Sequence, residues 1–172
     1  MVILSENQKL IHAIAEQYGA ALTMLENTIV NCDNELWGDS NRDPIISQII
    51  YHTLYFIDIY LSKDRAEWEA FVGKLGEDGD ADTYIHIPEK LFTKQELLNY
   101  SHDIRTKSSE RFKNLSIEEL NSKPLFDWHG SSVLSSLLYN LRHIMLHVGA
   151  LHVRLNAEGK EPLNWISKDS IL

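Results

Sequence analysis

The sequence predicts an all-α protein, a four-helix bundle forming a single domain over residues 1–172, and three observations carry that prediction. Four long stretches repeat apolar residues at the spacing of one helix face. Alternating strand patterns are almost absent. Capping signatures open those stretches and turn residues close them. The chain's 172 residues match the usual size of one domain and are enough to bury a core.

Helix one begins at the capping box Ser5-Glu6-Asn7-Gln8, where a serine oxygen and a glutamine side chain satisfy backbone donors. It continues to about residue 31, with Leu10, Ile14, Tyr18, Ala21, Leu22, Leu25 and Ile29 on its apolar face. Residues 31–44 break the pattern with Gly38 and a polar series, and Pro44 suits the first turn of helix two. That helix runs to about Leu61. Residues 62–92 are the least regular, with a short helix expected over 64–75 and an acidic turn at Gly76-Glu77-Asp78-Gly79-Asp80. A connection of that length lets the chain cross over, so the helices are expected to run up, down, down, up.

Thr93-Lys94-Gln95-Glu96 repeats the capping box and opens helix three, in which Leu97, Leu98, Ile104 and Phe112 are the apolar positions. It ends near Asn114. A turn through 116–120, then Pro124 and Trp128-His129-Gly130, leads to Ser131 or Ser132 as the cap of helix four, which stops at Gly159. In the tail beyond Pro162, Trp165 is available to pack back. Helices two and four are apolar nearly all round, which places them at the centre or against a second copy, and a homodimer is expected.

Composition narrows the partners. With 25 acidic and 16 basic residues the net charge is −9, a field that repels nucleic acid and anionic membrane surfaces. The start has no basic region before its short apolar run, so no targeting segment is expected. The apolar stretch 133–155 is interrupted by Asn140, Arg142, His143, His147, His152 and Arg154, too many polar groups for a lipid-facing span. A single cysteine, Cys32, excludes an internal disulfide and any multi-cysteine metal site, and fits a cytoplasmic protein. Its neighbours Asp33 and Glu35 raise a thiol pKa, which fits a structural cysteine.

The chemistry-bearing pattern lies on helix four. Tyr139, His143 and His147 follow one another at steps of four, each about 40° round the axis from the last, so they share one stripe. His-x3-His on a helix is a metal-chelating spacing. Ile144, where a zinc protease of this pattern carries glutamate, excludes that peptidase class. Helix two adds His52 inside the almost wholly apolar run 45–56. Ile45, Gln48, Ile49, Tyr55, Phe56 and Ile59 lie within about 60° of it on the helical wheel, so the imidazole is expected to point into the core and to need a partner. His143 and His147 are the candidates, and three imidazoles would leave further coordination positions open. Imidazole ligands favour zinc or nickel over magnesium. His152 is read as surface or dimer interface, and His12, His86, His102 and His129 as solvated. Asp78, Asp80, Asp82 and Glu89 imitate a calcium loop, but Thr83 replaces its essential glycine and Pro88 obstructs the exiting helix. They are read as a solvated acidic loop.

Together, the lone histidine of the apolar second helix, the long acidic loop, the capped start Phe92-Thr93-Lys94-Gln95-Glu96-Leu97-Leu98 and the segment Leu141-Arg142-His143-Ile144-Met145-Leu146-His147-Val148-Gly149 resemble the DinB/YfiT-like superfamily over nearly the whole chain. The resemblance implies a commonly dimeric four-helix bundle with a divalent metal such as zinc or nickel on His52, His143 and His147. It also implies one of several activities, thiol transfer with a low-molecular-weight thiol and isomerisation among them. Ala150 stands where many members carry glutamine, which bears on substrate contacts rather than on the metal. The expected function is metal-dependent thiol transfer or hydrolysis, the alternative a non-catalytic, metal-stapled binding or stress-response protein. No acid-base residue is assigned. Residues 62–92, Trp37 and Trp128 are expected to border the entrance to the metal.

Overall fold

The computed structural model describes residues 5–41, 43–72, 91–160 and 163–172. Among them it holds seven α-helices and no strand: α1 (Glu6–Asn31), α2 (Asn34–Trp37), α3 (Ile46–Leu61), α4 (Arg65–Val72), α5 (Lys94–Lys113), α6 (Ile117–Leu120) and α7 (Val133–Ala157), with a 3-10 turn at Asp127–His129. No helix among the described residues is long and apolar enough to cross a membrane.

The helix starts form where the local chemistry calls for them. Ser5 Oγ accepts from the Gln8 amide at 3.3 Å while Gln8 Oε1 accepts from the Ser5 amide at 2.9 Å. Thr93 and Glu96 close the same reciprocal pair at 3.2 and 2.8 Å, and Ser132 caps α7 by accepting from the Ser135 amide. The start of α3 differs from expectation. Pro44 stands in the turn before the helix, after a cis Asp43–Pro44 peptide bond, and its carbonyl accepts from Arg154 Nη1 at 2.6 Å. Ile45 occupies the cap without a side-chain oxygen, and Gln48 Oε1 instead accepts from the Ile45 amide. The helices α2 and α6 were not expected, since four residues are too few to show a period.

The long helices pack in the neighbour order α1, α5, α3, α7 and back to α1. Residue pairs fix their directions. Tyr18 meets Phe112 while Glu26 meets Arg105, so α1 and α5 are antiparallel. Tyr51 meets Tyr100 while Ser62 meets Lys107, so α3 and α5 are parallel. Tyr60 meets Tyr139 while His52 meets His147, so α3 and α7 are antiparallel. In chain order the four run up, down, down, up.

The helix faces and the tail differ from expectation in their burial. Of the two helices read as apolar all round, only α3 is enclosed, with thirteen of its sixteen residues buried. On α7, Leu138, Leu146 and Val153 are exposed, so that helix lies at the periphery. Leu10 is 43% exposed, and Ile11, one position on, enters the core instead. Trp165 is 72% exposed. The tail is held by other groups, because Asp169 accepts from Thr23 Oγ1 at 2.6 Å and pairs with Arg105 at 3.3 Å. A side chain on Gly19 would put its Cβ 2.2 Å from the Asp169 carbonyl oxygen, so this crossing requires glycine. Cys32 is buried, in keeping with a structural role.

Candidate metal centre

On α3 the half-buried residues form one stripe, Ile45, Gln48, His52 and Phe56, while Ile46, Ile50, Leu54, Ile57 and Leu61 on the other sides are fully buried. His52 therefore lies on the least enclosed side of its helix. The expectation that it points with the core residues is corrected: it faces the outer half of the α3–α7 seam. The expectation that it needs a partner on α7 holds.

That partner is the His143 and His147 pair, one turn apart on α7 and both half-buried. His52 Nε2 lies 3.2 Å from His143 Nε2, which lies 2.9 Å from His147 Nε2. All three ligand atoms fall within 4.8 Å of one another. Zinc–nitrogen bonds of about 2.1 Å at right-angled to tetrahedral geometry separate neighbouring nitrogens by about 3.0 to 3.4 Å, so the two short spacings suit ligands on one ion. Three ring nitrogens turned to one place satisfy each other only in part, because a neutral imidazole has one donor and one acceptor nitrogen. A cation accepts all three lone pairs.

The electrostatics fit the same donor set. Burial, reinforced by the neighbouring charges of His147 and His52, pushes the His143 pKa down to about 3, and burial lowers that of His147. At neutral pH these rings are uncharged, which is the metal-binding form. No carboxylate or thiol joins the group among the described residues. His143 Nδ1 is buried without an acceptor there, although such a nitrogen usually donates to one behind a metal. Bound to the three Nε2 atoms, a zinc or nickel ion would supply Lewis acidity, lowering the pKa of a water or thiol at its open positions.

The other expected residues separate from this centre. Tyr139 turns to Tyr60, 5.7 Å away, and to His129, 5.1 Å away, rather than to the ligands. His152 is half-buried at the Met24 carbonyl and has a lowered pKa from burial, so it belongs to the α1–α7 contact rather than to open surface. His102 is exposed and His12 half-buried. His129 was read as solvated and is buried, because aromatic rings enclose it. Only its aromatic neighbours in sequence hinted at this. Trp37 is buried and donates to the Phe92 carbonyl at 2.8 Å. Trp128 leans on Phe126 and His129, and reaches the centre only through further rings. His86, the acidic set Asp78, Asp80, Asp82 and Glu89, and most of the connection between α4 and α5 lie outside the described residues. No protein-family model, no curated protein and no solved structure matches the chain.

Proposed function

We propose that this chain is a divalent-metal-binding protein, a DinB/YfiT-like four-helix bundle in which His52, His143 and His147 hold one zinc or nickel ion. The observation that carries the reading is the convergence of three Nε2 atoms from two helices, at 3.2 and 2.9 Å between neighbours, on the half-buried side of the α3–α7 seam. Three protein ligands leave positions for a small molecule, as in catalytic rather than closed structural sites. Metal-dependent thiol transfer, with a low-molecular-weight thiol as co-substrate, or hydrolysis follows as the reaction class. The exposed α7 residues Leu138, Leu146 and Val153 support a homodimer formed through that helix. Cytoplasmic residence and the absence of nucleic-acid or membrane partners are part of the same reading, supported by the lone cysteine and the negative charge.

A second reading keeps the metal and drops the catalysis. Its support is that the ligands come from α3 and α7, so an ion there staples two helices in a binding or stress-response protein. Metal analysis of the purified protein tests the shared part. The wild type is expected to hold about one ion per chain, and the His143→Ala, His147→Ala double variant almost none. Equal contents would overturn the site. Cobalt substitution then separates the two readings: an absorption change on adding a thiol marks an open position and favours the enzyme, and an inert spectrum favours the staple.

A further inference from the structure

The enclosed arginines of α5 answer to carboxylates. Arg105 meets Glu26 with its Nε–Nη2 edge, each nitrogen 2.9 Å from a different oxygen, and gives Nη1 to Asp169. Arg111 pairs with Glu119 at 2.6 Å. Arg154 on α7, half-buried like Arg105, departs from that pattern. Its Nη1 donates to the Pro44 carbonyl at 2.6 Å, and it has no ion pair among the described residues. The Nε–Nη2 edge therefore stands unanswered, and water reaches it, since neither nitrogen is a buried atom left unmatched. In a chain with 25 acidic residues against 16 basic ones, this is not for want of acids.

Two helices fix where Arg154 stands relative to the metal centre. On α7 it follows His147 by seven residues, a rise of about 10 Å, and falls between His143 and His147 in rotation about the axis. On α3 its bonded partner Pro44 precedes His52 by eight residues, about 12 Å at the helical rise. Both place the guanidinium about 10 to 12 Å from the three imidazoles, along the outer groove of the same seam. Midway between His147 and Arg154 lies Ala150, exposed and with nothing beyond its Cβ to fill that interval. In the other direction the seam is packed, because the rings of Phe56, Tyr60 and Tyr139 succeed one another 5.7 Å apart. The open course along the groove leads from the ion to Arg154.

We propose that Arg154 is the anion-binding end of this site: the small molecule that coordinates the ion carries a carboxylate, held by the Nε–Nη2 edge. The proposal rests on the metal reading and adds to it the chemical class of the ligand, a carboxylate-bearing thiol. Two parallel donors in a planar fork match a carboxylate bidentately, as Glu26 does on Arg105. The Pro44 bond holds the fork in place before a ligand arrives, so less order is lost on binding. Three neutral imidazoles leave the charge of the ion uncompensated. The ion and Arg154 thus both draw anions, and the test has to tell them apart.

The test follows thiol binding to the cobalt-loaded protein through the thiolate–cobalt absorption band. Two acids are each compared with their carboxamides: 4-mercaptobutyrate, long enough to reach Arg154 from the ion, and mercaptoacetate, which reaches the ion alone. In the wild type 4-mercaptobutyrate is expected to bind about tenfold more tightly than its amide. Arg154→Met should remove most of that preference, whereas Arg142→Met, which takes the same charge from the exposed face of α7 beside His143, should keep it. Ala150→Leu, at an exposed position where the core is untouched, should weaken 4-mercaptobutyrate and leave mercaptoacetate unchanged. Equal affinity for acid and amide in the wild type, a preference that survives Arg154→Met, or the same loss in Arg142→Met would overturn the subsite. Arg154 would then serve only the carboxyl-terminal dipole of α7. Cobalt uptake with no thiol band would overturn it too, because the ion would have no open position. A protein that takes up no cobalt sinks the metal reading itself, and the proposal with it.

Discussion

The two sides of α3 handle buried polar groups in opposite ways. Towards α5, Asp58 meets Lys107 at 2.5 Å and accepts from Tyr100 at 3.3 Å, while Lys107 also donates to Ser62. Donors are matched to acceptors across the seam, and the polar cluster holds two parallel helices in register. Towards α7, three imidazoles turn the same kind of atom on one another, and His129 keeps a ring nitrogen unmatched. Around Asp58 the seam is complete within the fold. Along the other, His143 Nδ1 and His129 Nε2 have no partner among the described residues, and surplus of that kind supports the metal proposal.

The largest effect should come from breaking the complete seam. Lys107→Met leaves the Asp58 carboxyl buried without its cation and should cost about 3 to 5 kcal/mol, read from urea unfolding of the metal-free protein. By contrast, His143→Ala in the same metal-free state should cost no more than about 1 kcal/mol, because it relieves a crowd of like groups. A similar loss in both variants would erase the distinction.

The pH dependence sharpens the comparison through its sign. Asp58 is raised above its ordinary value, chiefly by burial, which outweighs Lys107. Its contribution is therefore present in full at acid pH below the unfolded carboxyl value and is lost as pH rises through the folded one. His129 is lowered from 6.5 to about 4, so its contribution is present above about 6.5 and is lost as pH falls towards 4. That loss amounts to up to about 3 kcal/mol. Urea midpoints of metal-free His129→Phe between pH 4 and 7 should fall less steeply than those of the wild type, and those of Asp58→Asn should fall more steeply. A slope unchanged in His129→Phe would place that imidazole in solvent.

Zinc should act on the incomplete seam only. At a free concentration 100 times the dissociation constant it stabilises by about 2.7 kcal/mol, or roughly 5 to 10 °C in Tm for a domain of this size. Lys107→Met should keep that increment and His147→Ala should lose it, measured by thermal unfolding with and without the ion. The smallest effect belongs to the edge of the metal stripe. Gln48→Ala removes the acceptor for the Ile45 amide and should cost about 0.5 to 1 kcal/mol while zinc affinity stays unchanged.

What was legible in the chain was whatever one helix decides by itself. The boxes at Ser5 and Thr93 and the cap at Ser132 need only residues three positions apart, and all three are present. The His143 and His147 pair is likewise a property of a single helix. His52 was tied to it by a sound demand, that a polar group in an apolar run requires a partner, but on a mistaken orientation. A helix enclosed on nearly all sides shows no contrast from which its least buried stripe can be read. His129 and Trp165 exchanged their expected places, one buried and one bare, because short segments outside helices carry no period and their burial is settled by distant neighbours. The tail shows the same limit, since Asp169 owes its role to Thr23 and Arg105.

The neighbour order of the helices sets a schedule for synthesis. The first long helix packs on α5 and α7 rather than on the helices that follow it directly. At translation rates of 5 to 20 residues per second, about 3 to 13 s separate the emergence of Asn31 from that of Lys94. During that interval the apolar face of α1, with Tyr18, Leu22, Leu25 and Ile29, has left the ribosome before its docking surfaces exist. Slowing translation before α5 would therefore lengthen the time for which that face stays uncovered.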